Sequence, residues 1–188
     1  FPQLIKLLLS AGKYPAKIGV AVEAFEKKLP RLSRALSAEP WRLAAAQKKL
    51  LPRKVHIAVQ VITDRTMLNM NTAYRNKPTT TDVLSFSYLE SGEPLFPHEP
   101  VGEICISYKT AATQAKENGL ALADEFCVLA VHGALHVMGY DHELSARENA
   151  AMHKAEQRVL AAAGIQVGLT GRQLPQALKG SGNRKASR

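Results

Sequence analysis

The sequence predicts an α+β fold in which a small mixed sheet is covered by helices, with one apolar helix at the centre. After Val55 apolar residues alternate with polar or small ones as far as Val61, which is typical of a strand with one buried face. The stretch from Phe126 to Met138 is apolar nearly all round a helix, so this helix is expected to be buried. Strands and helices do not alternate strictly along the chain, which favours α+β over α/β.

Residues 1–52 are rich in leucine at helical spacing, and prolines interrupt the pattern at positions 15, 30, 40 and 52. Several short helices are therefore expected, one of which begins near Pro40 and carries Trp41, Leu43 and Leu50. This part of the chain is predicted to be a basic, helical N-terminal extension.

The strand at Val55 is followed by a helix that Asp64 can cap and that ends at about Arg75. Two more strands are predicted at Val83–Tyr88 and Ile104–Ser107. They flank a segment rich in Pro, Gly and Glu, which indicates a turn or hairpin loop.

Three helices are predicted in the rest of the chain, and each has a boundary signal in the sequence. Thr110 caps the first and Asp124 opens the apolar helix. Ser145 and Glu148 form a capping box for the third, which ends at Gly164.

The net charge of +9 is unevenly distributed. Residues 1–52 carry +7 and residues 171–188 carry +5, whereas residues 53–170 carry −3. We therefore predict a catalytic domain at 53–170 between two basic ends, with 171–188 a disordered tail. Basic arms on a mildly acidic domain are typical of proteins that bind polyanions, for which RNA is the obvious candidate; the alternative is that they only aid solubility.

The two cysteines, Cys105 and Cys127, lie in apolar segments and are expected to be buried thiols, which suits a reducing compartment. No apolar run is long enough to span a bilayer, so no membrane association is expected. The predicted location is the bacterial cytoplasm, with an organelle as the alternative because the N-terminal segment is poor in acids.

The most informative motif is HGALHVMGYDH, which contains His132, His136 and His142. Residues four apart project from the same face of a helix, and Gly139 can end that helix so that His142 turns back toward the pair. Three imidazoles that converge leave the fourth position of a tetrahedral Zn²⁺ open, as in catalytic zinc sites. The alternative is that His132 and His136 lie on the surface of the helix and His142 lies in a loop. The helix is expected to be buried, however, and buried imidazoles need partners.

The spacing also matches the metzincin protease pattern H-E-x-x-H-x-x-G-x-x-H, with one decisive difference. The residue after the first histidine is Gly133, whereas these proteases have a glutamate general base there. Peptide hydrolysis by that route is therefore not expected.

Three separated blocks resemble the YbeY family of metal-dependent endoribonucleases. HGALHVMGYDH is similar to its H-G-x-L-H-L-x-G-Y-D-H signature, LNMNTAYRNKPTTTDVLSFSY to its L-N-x-x-Y-R-x-K-x-x-P-T-D-V-L-S-F-P block, and VGEICIS to its G-D-I-x-I-S strand. The family's two prolines are replaced at Thr80 and Ser87, and its aspartate by Glu103. The resemblance runs from about Val55 to about Gly164, and residues before Trp41 and after Gly171 are not covered.

The resemblance implies a zincin-like arrangement and a single-strand-specific, metal-dependent endoribonuclease. Such an enzyme would act in ribosomal RNA processing, at the 3′ end of 16S rRNA, and in ribosome quality control. Its expected ligands are one Zn²⁺ per chain, on His132, His136 and His142, and RNA within ribosomal subunits. Ribosomal proteins or a GTPase are expected as further partners.

Arg75 matches the arginine of the family's Y-R pair and is predicted to be catalytic together with His136. A guanidinium group suits phosphate because its donors form a fixed fork and its charge does not titrate; the alternative for a lone arginine at a helix C-terminus is a dipole contact. Asp82 and Asp141 are each predicted either to orient a ligand histidine or to cap a turn.

Two other functions fit parts of the sequence. One is a non-catalytic ribosome-assembly factor that binds RNA and contains a structural metal. The other, which Gly133 disfavours, is a metalloprotease without the usual glutamate base.

Overall fold

The computed structural model describes residues 3–91, 95 and 98–165. Its four strands form one mixed sheet in the order β1-β2-β4-β3. Strands β1 (Leu4–Leu9), β2 (Lys54–Ile62) and β4 (Gly102–Ser107) are parallel, and β3 (Val83–Ser87) pairs antiparallel with β4 at one edge. The predicted α+β fold with a small mixed sheet is confirmed.

The described residues form seven α-helices in addition to the strands. They are α1 Ala16–Glu26, α2 Leu29–Leu36, α3 Ala45–Leu50, α4 Asp64–Arg75, α5 Tyr108–Glu117, α6 Leu122–Val137 and α7 Ala146–Ala162. Helix α6 lies on one face of the sheet and contacts β3 and β4, while α1, α2, α5 and α7 pack around it. The predicted central position of the apolar helix is therefore correct.

Two glycines allow α6 to approach the sheet closely. A Cβ atom at Gly133 would lie 2.8 Å from a methyl carbon of Ile104 on β4. One at Gly102 on β4 would lie 2.6 Å from a methyl carbon of Val137 on α6. Helix α6 and strand β4 thus approach each other closely at two points. A larger side chain at either glycine would have to push the helix and the strand apart.

The prediction of a helical extension at residues 1–52 is wrong at its start. The segment Leu4–Leu9 is a strand parallel to β2, with Ile5 and Leu7 buried and Lys6 exposed. The period of two was hidden because the outward positions also carry leucines. Residues of α1 and α2 also belong to the main core: Val22, Phe25, Leu29, Leu32 and Leu36.

Helix boundaries differ from the prediction where proline or a capping residue suggested them. Trp41 and Leu43 precede α3, which begins only at Ala45. Thr63 rather than Asp64 caps α4, through a hydrogen bond from the Thr66 amide. Ser145 caps α7 as predicted.

Within the described residues, no single helix is both long and apolar enough to cross a membrane. Only α5 and α6 taken together pass that test, and they are bent by 111° with respect to each other. The tail predicted for residues 171–188 lies outside the described residues.

Candidate metal centre and active-site cleft

Helix α6 and the turn after it bring His132, His136 and His142 together. After α6, Gly139 has a φ of 90°, and the turn is closed by hydrogen bonds from the Tyr140 amide to the Leu135 carbonyl and from the Gly139 amide to the His136 carbonyl. This pair of bonds is the Schellman motif, which glycine favours because it has no Cβ atom. The turn predicted at Gly139 is confirmed.

The three imidazoles form a compact cluster. Their candidate ligand nitrogens all lie within 4.8 Å of one another, and the ring centroids are 4.7, 5.0 and 5.3 Å apart. The Nε2 atoms of His132 and His136 are 3.2 Å apart. Two nitrogens bound tetrahedrally to one Zn²⁺ would be about 3.3 Å apart, so this pair is already spaced as ligands would be.

The environment of the cluster fits a metal cation. Nδ1 of His142 is buried without a hydrogen-bond partner, and such an atom in a protein interior needs a partner. Burial first, and then the neighbouring His132 and His142, lower the pKa of His136 to about 3. Burial, followed by the charge of His132, also lowers the pKa of His142. Both rings are therefore neutral at physiological pH and need not lose a proton to bind a metal.

Glu156 orients the first histidine. Its Oε1 atom lies 2.7 Å from Nδ1 of His132, and both side chains are buried. A carboxylate on Nδ1 fixes the tautomer that leaves Nε2 free for a metal and makes the ring more basic. Glu156 was not predicted, because it lies on α7, and only the packing of α7 against α6 brings it to His132.

The two aspartates predicted to orient a histidine or cap a turn make hydrogen bonds to other partners. The Asp82 carboxylate accepts hydrogen bonds from the Val83 amide and the Gln114 side chain. Asp141 accepts one from the Glu143 amide, and its charge raises the pKa of His136 and His142. Neither aspartate has a hydrogen bond to a histidine within the described residues, and both predicted alternatives stay predictions.

The packing around Gly133 explains why no glutamate general base stands at this position. Its Cα faces Ile104 of the sheet at a distance that leaves no room for a Cβ atom. A glutamate here would enter the hydrophobic core rather than reach a substrate beside the histidines. The position is thus closed to the metzincin base by the close contact of α6 with β4.

A cleft of about 240 Å³ opens beside the histidines. One wall carries the three imidazoles together with Asp141 and Glu143. The other wall is formed by the end of α4, the following loop and β3, and includes Arg75, Lys77 and Ser85. The predicted catalytic arginine therefore lies in the same cleft as the predicted metal ligands.

The position of Arg75 follows from the end of its helix. It is the last residue of α4, and Asn76 then adopts a left-handed conformation with a φ of 54°. Asparagine tolerates this conformation better than most residues, and the turn directs the loop from Lys77 along the cleft. The Arg75 side chain is exposed, so its charge is available to a ligand.

Residues 39–42 hold the turn that carries His142. The Arg42 amide donates to the Met138 carbonyl over 2.8 Å, and the Arg42 guanidinium lies 4.7 Å from the Tyr140 ring centroid. The Glu39 carboxylate accepts one hydrogen bond from the Tyr140 hydroxyl and two from the Arg158 guanidinium. The segment before α3 thus supports the metal centre, although the sequence suggested an extension outside the catalytic domain.

These features define a class of protein: an α+β metalloprotein with a three-histidine site in a cleft that also contains two cationic side chains suited to phosphate. A family model described as endoribonuclease YbeY matches residues 25–164, and the chain therefore belongs to that family. The match begins well before Val55 and includes α2, which packs in the core.

Two relatives that carry the same name agree with the family match. Endoribonuclease YbeY of Leptospira biflexa is 42% identical over 114 residues, which are 59% of this chain and 73% of the relative. The protein of the same name from Xanthomonas axonopodis pv. citri is 36% identical over 157 residues, which are 81% of this chain and 94% of the relative. The solution structure of TM1509 from Thermotoga maritima has 23% identity and a TM-score of 0.49, covering 85% of this chain and 88% of that one.

Proposed function

We propose that this protein is a metal-dependent endoribonuclease that cleaves single-stranded RNA during ribosomal RNA processing. The observation that carries the proposal is the meeting, in one cleft, of three mutually close imidazoles with Arg75 and Lys77. Family membership supports the same activity, because the relatives are named endoribonucleases.

The histidines and the arginine have separate tasks in this reaction. His132, His136 and His142 would hold a divalent ion, which supplies Lewis acidity and lowers the pKa of a bound water. Arg75 binds the phosphate and stabilises the negative charge that grows on its non-bridging oxygens during cleavage. Asp141 and Glu143 are the carboxylates on the histidine side of the cleft and are the candidates for proton acceptor.

Zn²⁺ is the proposed metal because a neutral three-imidazole set leaves one position open in tetrahedral geometry, although Ni²⁺ and other first-row ions compete for such ligands. The proposed substrate is ribosomal RNA, at the 3′ end of 16S rRNA and in ribosome quality control. Ribosomal subunits, ribosomal proteins and a GTPase are the proposed partners, in the bacterial cytoplasm.

A ribosome-assembly factor with a structural metal is the second candidate. The open cleft beside the histidines counts against it, because structural zinc sites are usually closed by four protein ligands. The metalloprotease alternative has no support from the site, since the packing at Gly133 excludes the usual base.

Three samples tested side by side distinguish these functions. The metal-loaded protein is given an end-labelled single-stranded fragment of ribosomal RNA, a duplex of the same sequence, and a peptide library. The proposal predicts cleavage of the single strand alone. Binding of RNA without cleavage would favour the assembly factor, and cleaved peptides with intact RNA would favour the protease.

A further inference from the structure

Strand β3 is an edge strand, and its outer side borders the cleft. The sheet ends at β3, and in the described part of the chain no strand pairs with its outer side. Residues Val83, Leu84 and Ser85 line the cleft. The Leu84 side chain is buried against Met67 and Cys105.

The pairing of β3 with β4 determines which amides face outward. In an antiparallel pair, residues that exchange hydrogen bonds alternate with residues whose N–H and C=O groups point away. The Ser107 amide bonds to the Asp82 carbonyl and the Tyr88 amide to the Val101 carbonyl, so the even-numbered residues 82–88 face β4. The amides of residues 83, 85 and 87 therefore point to the open edge.

The three outward amides are not equivalent. The Val83 amide donates to the Asp82 carboxylate over 2.9 Å. Ser87 is not among the residues that line the cleft, and it stands where the related family block has proline, which has no amide hydrogen. Ser85 is the one outward residue of β3 that lines the cleft and keeps its amide free of a protein acceptor in the described structure.

We propose that the Ser85 backbone N–H is a phosphate-binding donor of the active site, which contacts a non-bridging oxygen of the RNA phosphate at the metal centre. A fixed amide beside the place where charge develops stabilises it without reorganisation. Arg75 and Lys77, on the same wall of the cleft, supply the charge, while the amide supplies a direction that a long flexible side chain does not. This inference rests on the proposed function.

The substitution Ser85→Pro removes this donor, and Ser87→Pro is its matched control. Proline is tolerated on an edge strand where the amide faces outward, so both variants are expected to fold and to retain one metal ion per chain. We expect kcat for RNA cleavage to fall by about 100-fold in Ser85→Pro and to change little in Ser87→Pro. Ser85→Ala, which keeps the amide and removes the hydroxyl, is expected to lose much less activity than Ser85→Pro.

Equal kcat values for Ser85→Pro and Ser87→Pro would overturn the proposal. So would a loss in Ser85→Ala as large as that in Ser85→Pro, because the hydroxyl would then be the active group.

A measurement on the unmodified protein tests the inference if Ser85→Pro does not fold. The Zn²⁺-loaded, ¹⁵N-labelled protein is titrated with a DNA oligonucleotide of the RNA sequence, which carries the phosphates but lacks the 2′-hydroxyl. A saturable downfield shift of the Ser85 amide proton that exceeds that of Ser87 supports the contact, and equal shifts contradict it. This result does not depend on RNA cleavage, so failure of the nuclease activity and failure of the amide contact are distinguishable.

Discussion

The two walls of the cleft differ in how they are built. The histidine wall brings three imidazoles close together, of which His132 is buried and His136 and His142 are partly buried. Glu156 holds His132, and residues 39–42 hold the Gly139 turn. The other wall carries Arg75, which is exposed and belongs to the end of a helix. The difference indicates that the first wall is organised before any ligand arrives, whereas the second acts through charge and through the edge of the sheet.

The largest effect is expected from His136→Ala, which removes the middle ligand of the histidine wall. Two remaining imidazoles cannot hold the ion in the same geometry, so bound metal and RNA cleavage should both be lost. The two losses are measured as the metal content after dialysis and the rate of RNA cleavage. His56→Ala is the control, because His56 lies on β2, away from the cleft. Retention of a full metal complement by His136→Ala would show that the site is elsewhere.

Arg75→Ala separates the walls, since it removes charge without touching the histidines. The metal content should stay at the level of the unmodified protein, while kcat should fall by about 100-fold or more, as for loss of a group that stabilises transition-state charge. Arg65→Ala, at the other end of the same helix, is the matched control. Unchanged cleavage by Arg75→Ala would exclude this arginine from the reaction.

Glu156→Gln tests how far the histidine wall depends on its support. The amide keeps the shape of the side chain but not its charge, and loss of such a carboxylate typically weakens metal binding by about 10- to 100-fold. Competition with a chromophoric chelator measures the affinity, and Glu117→Gln, on the exposed surface of α5, serves as the control. Equal metal affinities in the two variants would mean that the Glu156 carboxylate does not support metal binding by His132.

The smallest effect is expected from Arg42→Ala, which acts on the histidine wall through Tyr140. Its ion pair with Glu148 is partly exposed and is worth at most about 1 kcal/mol; the contact with the Tyr140 ring adds about 0.5–1 kcal/mol. We expect the metal affinity to fall several-fold while the fold stays intact. Arg147→Ala, on the exposed side of α7, is the control. If Arg42→Ala did not fold at all, residues 39–42 would stabilise the whole fold rather than the metal site in particular.

The histidine wall could be predicted from the sequence because its ligands lie on one helix and the next turn. Their spacing fixes their geometry, and Gly139 signals the turn. Glu156 could not be found this way, because its position depends on the packing of α7 against α6, and no local pattern encodes it. The same holds for Gly133, whose contact with Ile104 shows only in the packed structure why no glutamate stands there.

The edge strands show the same limit. Leucines on both faces of β1 concealed its period of two, and the parallel pairing of β1 with β2 joins segments far apart in the sequence. The open side of β3 is a property of the strand order, so the amide of Ser85 could be identified only after the sheet was known.

The most direct test of a metal-dependent ribonuclease is the cleavage rate of single-stranded ribosomal RNA as a function of metal occupancy. A sample stripped of metal with EDTA is refilled stepwise with Zn²⁺, and bound metal and rate are measured at each step. We expect no cleavage at zero occupancy and a rate that rises in proportion to bound metal up to one ion per chain. Intact RNA at full occupancy, or a rate that does not depend on occupancy, would contradict it.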